Sequence, residues 1–88
     1  MKKTITIEWE IHDTRNPNGG FRIGTSRLTA KAKDYAELMN IAINFADSIP
    51  TVELERNGIN LEEYREYPVC TYYYMTKISK ILSIKDAE

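Results

Sequence analysis

Of the residue types that initiate chemistry, this 88-residue chain holds one histidine, His12, one cysteine, Cys70, and 13 carboxylates. A Cys–His nucleophile pair needs the two side chains within hydrogen-bonding reach. Here that would require opposite ends of the chain to meet, and the more ordinary roles are an exposed histidine and a small buried thiol. A metal site starting from His12 and Asp13 would need two more ligands, which no spacing supplies. Gly19-Gly20 lacks the strand–loop–helix context of a phosphate loop, and dinucleotide motifs are absent. The sequence therefore assigns no catalytic residue, no metal ligand and no cofactor. An enzyme would need an unrecognised carboxylate site.

Two stretches have the composition of binding surfaces. Residues 34–68 carry a net charge of −6. Within them, Glu53, Glu55, Glu62, Glu63 and Glu66 are interleaved with Tyr64 and Tyr67, a mixture in which carboxylates steer a basic protein partner and rings supply contact energy. Residues 1–33 carry +4. Arg15, Arg22, Arg27, Lys31 and Lys33, with Tyr73 of the Tyr72–Tyr74 run, form the competing surface, a stacking and phosphate-contacting platform for single-stranded nucleic acid. The overall charge of −1 argues against an obligate polyanion binder.

The elements that must position these residues follow from periodicity. Thr4–His12 alternates Ile5, Ile7, Trp9 and Ile11 with polar residues, as a half-buried antiparallel strand does. Asp13–Gly20 reads as a loop. Phe21–Lys33 reads as a second strand whose apolar parity changes midway, which predicts a β-bulge around Gly24–Ser26. Asp34–Ile49 has a helical period, with Asp34 as N-cap, Glu37 at N3 and Pro50 beyond its end. Thr51–Arg56 alternates again, predicting a third strand that leads into an Asn57-Gly58 hairpin turn. Ile59–Tyr67 fits a short helix capped by Asn60 better than a return strand. Val69–Met75 reads as a strand, and Met75–Lys85 fits either strand or helix.

Together these predict one α+β domain over 1–88, an antiparallel sheet of four to five strands with a β-β-α-β start and one main helix on one face. The apolar arc of that helix is wide enough to predict a homodimer through 34–49. A lone cysteine suits a reducing compartment. The opening Met-Lys-Lys-Thr is followed by Ile-Thr-Ile-Glu-Trp-Glu rather than an apolar run, so neither a signal peptide nor a membrane span is expected. The expected object is a small cytoplasmic, non-enzymatic protein-binding module, an inhibitor or adaptor.

Overall fold

Alternation in the first strand sets the sheet. In the computed structural model, which describes residues 1–87, β1 (Lys2–Asp13) is the central strand, flanked by β2 (Phe21–Lys31) and β5 (Tyr74–Asp86), all antiparallel. Ile5, Ile7, Trp9 and Ile11 are fully buried on the inner face, each contributing about 1.5–3 kcal/mol by leaving water. The chain is α+β, but its main sheet has three strands rather than four or five. The other two, β3 (Arg65–Glu66) and β4 (Thr71–Tyr72), form a separate ribbon.

No bulge interrupts β2. Its pairing with β1 is continuous from Lys2–Lys31 to His12–Phe21, so Phe21 and Ile23 lie on the outer face and Gly24 and Ser26 on the inner one. Trp9 explains this inversion. A Cβ at Gly24 would lie 2.4 Å from the Trp9 ring, so only glycine lets the indole lie flat against this strand. The indole N–H donates to Ser26 Oγ at 2.9 Å, so the buried polar groups satisfy each other.

The irregularities lie in β5 instead. Its register against β1 shifts twice, leaving Ser79 and Leu82 as extra residues. Those insertions bring Ile78, Ile81 and Ile84, spaced three apart, opposite Trp9, Ile7 and Ile5. This decides the ambiguous C-terminal segment: the helix-like spacing belongs to a twice-bulged strand.

Helix α1 (Tyr35–Asp47) packs over the inner face. The Asp34 carboxylate accepts from the Glu37 N–H at 2.9 Å, the expected cap. Leu38, Ala42 and Ala46 are buried, and Met39, Ile41 and Phe45 pack around them, which leaves Tyr35 and Ile43 as the large exposed apolar residues in its wide arc.

Thr51–Arg56 is not a strand but a second helix, α2. One turn suffices to bury Leu54 while Val52 stays exposed, a division that an alternating strand could not make. Asn57-Gly58 terminates this helix rather than turning a hairpin. Gly58 adopts φ +78°, its N–H donates to Glu55 O at 2.9 Å, and Ile59 N–H reaches back to Leu54 O at 3.0 Å. That is a Schellman motif, closed by the apolar pair Leu54 and Ile59, and its left-handed position favours glycine.

Ile59–Tyr67 contributes a short helix, a 3-10 turn over Leu61–Tyr64 capped by the Asn60 side chain, and then enters β3. Of the expected strand Val69–Met75, Val69 and Cys70 belong to the turn between β3 and β4, and the rest is divided between β4 and the start of β5, with Tyr73 between them donating its N–H to Tyr64 O. All helical elements thus lie against the inner face. The molecule measures 47 × 23 × 19 Å, and among the described residues no helix is long and apolar enough to cross a membrane.

Candidate functional site

The 3-10 turn and the β3–β4 ribbon organise the densest group of polar and aromatic side chains. Asn60 starts a turn that buries Tyr64 at 6% exposure and leaves Glu62 and Glu63 outside. The Tyr64 ring meets Tyr74 edge-on with centroids 5.9 Å apart, and burial pushes its hydroxyl pKa upward. Arg65 and Tyr72 are paired across the ribbon, as are Glu66 and Thr71. The connecting turn is closed by Cys70 N–H donating to Glu66 O at 2.8 Å, with Cys70 at φ 60°.

This register places the Arg65 guanidinium against two rings, 4.9 Å from the Tyr67 centroid and 5.5 Å from that of Tyr72. The hydroxyls of both tyrosines donate to Glu62, Tyr67 to Oε2 and Tyr72 to Oε1. Arg65 Nη1 stands 3.4 Å from the same carboxylate. The Tyr67 hydroxyl, then Tyr72 and Arg65, hold Glu62 below the usual carboxylate range, whereas Arg65 is raised, first by Cys70. The result is a cluster of two exposed rings and an exposed carboxylate around a half-buried guanidinium. Tyr67 remains 65% exposed, Val69 60% and Tyr72 42%.

The remaining acidic candidates are distributed around this cluster and beyond it. Glu63 pairs with Arg22 at 2.7 Å, and Glu66 is exposed beside Tyr67. Glu53 and Glu55 sit apart on α2. Glu53 is held by Arg56 at 2.9 Å, and this hydrogen bond, with a second from Ser26, lowers its carboxyl to a pKa of about 2. Glu55 is exposed.

The basic candidates are not gathered. Arg15 ties the β1–β2 loop to the site: it pairs with Asp13 at 2.8 Å, donates to Glu63 O at 2.9 Å and Arg65 O at 3.3 Å, and lies over the Tyr73 ring. Arg22 serves Glu63. Lys31 is at the opposite end of the sheet in register with Lys2, with Lys33 just beyond it, and Arg27 is on the outer face. His12 and Cys70 have separate surroundings: His12 Nε2 is 2.7 Å from Glu10 Oε1 with its ring against Phe21, and Cys70 is exposed beside Arg65.

Arg65 and the Tyr72 hydroxyl are the site members that sequence reasoning missed. Their meeting depends on the Arg65–Tyr72 pairing, and the one available signal was a Pro-containing turn flanked by tyrosines. No protein-family model, no curated protein and no solved structure matches this chain.

Proposed function

We propose that this chain is a small non-enzymatic protein-binding module, acting as an inhibitor or adaptor in the cytoplasm, that engages a basic partner surface through Glu62, Glu63, Glu66 and Tyr67. The observation that carries this reading is the Tyr67–Arg65–Tyr72 stack with both hydroxyls on Glu62. Exposed rings held in one arrangement lose little freedom on binding, which is the main cost for an aromatic contact. Glu66 supplies the charge that steers a cationic partner. Tyr64 acts from beneath as the buried support of the turn. Glu53 and Glu55, on α2, extend the acidic field rather than the contact.

The test is affinity capture followed by titration of the captured protein. Tyr67→Ala should weaken that binding by about 10- to 30-fold. Glu66→Lys should weaken it less and reduce its sensitivity to salt. Equal binding by both variants and the parent would remove the reading.

The nucleic-acid alternative has less support, because Arg15 and Arg22 direct their charge to Asp13 and Glu63. A homodimer through 34–49 would rest on Tyr35 and Ile43. Sedimentation at tens of micromolar protein tests it, with a concentration-independent monomer as the overturning result.

A further inference from the structure

Away from the tyrosine cluster, the outer face of the sheet carries a second arrangement of polar groups. Pairing places Arg27 of β2 beside Thr6 of β1 and Thr6 beside Ser83 of β5. In the next row Thr29, Thr4 and Lys85 lie side by side. Thr4, Thr6, Arg27, Ser83, Lys85 and Asp86 line one shallow cavity of about 260 Å³. Its one carboxylate, Asp86, is already taken by Lys3.

Arg27 stands out among the arginines. The chain has five. Arg15, Arg22, Arg56 and Arg65 each pair with a carboxylate, and among the described residues Arg27 pairs with none. Glu8, its diagonal neighbour on β1, accepts from Ser79 Oγ at 3.0 Å and has Lys80 opposite. On its other side Arg27 borders the Glu53–Arg56 pair, whose charges cancel. Among the described residues the cation is therefore left with hydroxyls around it and no carboxylate partner of its own, Asp86 in the same cavity being paired with Lys3.

We propose that this face binds a phosphate group, with the Arg27 guanidinium and the Lys85 ammonium gripping it from opposite sides above the hydroxyls of Thr4, Thr6 and Ser83. Strands one position apart on each side of β1 stand roughly 10 Å from one another. Two long cationic side chains can close that distance onto one tetrahedral anion. The guanidinium donates two parallel hydrogen bonds, the ammonium donates from the far side, and the hydroxyls reach the oxygens facing the sheet. A tetrahedral dianion can use donors in all these directions, whereas a planar carboxylate would leave some idle. The site is independent of the protein-binding surface proposed above.

The test is a nuclear magnetic resonance titration of the full chain with inorganic phosphate, run beside sodium chloride at equal ionic strength. Saturable shifts confined to Thr4, Thr6, Arg27, Ser83 and Lys85, present with phosphate and absent with chloride, are expected. Arg27→Gln should weaken phosphate binding about tenfold or more, and Arg27→Lys should recover part of it, with the melting temperature unchanged in both. A second arm uses a short single-stranded oligonucleotide. Binding whose salt dependence falls by about one charge in Arg27→Gln identifies a polymer as the source of the phosphate. Binding of inorganic phosphate without the oligonucleotide identifies a small molecule. Equal shifts in phosphate and chloride, or undiminished phosphate affinity in a folded Arg27→Gln protein, would overturn the site.

Discussion

β2 and β5 flank the same strand in the same antiparallel sense, and neither follows a simple alternation of apolar and polar residues. They resolve the conflict in opposite ways. β2 keeps its backbone regular and changes what it turns inward: Gly24 and Ser26 meet Trp9, and Phe21 and Ile23 are released to the outer face. β5 keeps isoleucines inward and changes its backbone, adding Ser79 and Leu82 to the pairing. A broken parity in a sequence therefore has two physical meanings, and the side toward which the Trp9 ring lies decides between them. On the β2 side, where the ring lies against Gly24 and bonds Ser26, small residues must face in. On the β5 side isoleucines fit against Trp9, Ile7 and Ile5, and the chain bends to deliver them.

Deleting one residue from each strand tests the contrast most severely. Removal of Thr25 should reverse the faces of half of β2 and expose Trp9, a loss of about 3–5 kcal/mol, comparable to deleting a buried tryptophan. Denaturant unfolding monitored by Trp9 fluorescence measures it, and a stable deletion variant would contradict the proposed basis of the register.

Substitution on the same strand should cost less. Gly24→Ala, forced against the indole, and Ser26→Ala, leaving the indole N–H unpaired, should each destabilise by about 1–3 kcal/mol. By contrast, removal of Leu82 takes away a bulge residue while Ile81 and Ile84 keep their faces, so thermal unfolding should change by about 1 kcal/mol or less. A large loss there would mean that the bulge is required and the two strands are more alike than argued.

The smallest effect concerns the helix beside β2. Glu53, lowered from an ordinary 4.5 to about 2 by its bonds from Arg56 and Ser26, adds stability that is complete above pH 4.5 and disappears as pH falls through about 2. The pair is partly exposed, so less than ~1 kcal/mol is expected. Comparing acid unfolding of the parent with Arg56→Met isolates it. The variant should lose less stability across that range.

The first strand and the main helix were legible because a full period repeats in each: four apolar positions in Thr4–His12, and a capped run from Asp34. Thr51–Arg56 misled because six residues fit strand and helix alike, and the deciding feature was the single burial requirement of Leu54. Asn57-Gly58 supplies a positive-φ glycine to either a hairpin or a helix end, so the dipeptide alone could not distinguish them. In the candidate site, Glu62 and Tyr67 were visible as composition. Their connection through Arg65 and Tyr72 was not, since it exists only once the β3–β4 ribbon closes.

Asn57 also does for the border of the sheet what no strand does. Its side-chain amide accepts from the Thr25 N–H at 2.9 Å and donates to the Thr25 C=O at 3.0 Å, with Arg56 adding a second donor to that carbonyl. An incoming strand would need those same two backbone groups. A single amide thus ends the ladder where another chain would otherwise extend it, and fibril-like growth finds its template already occupied at Thr25.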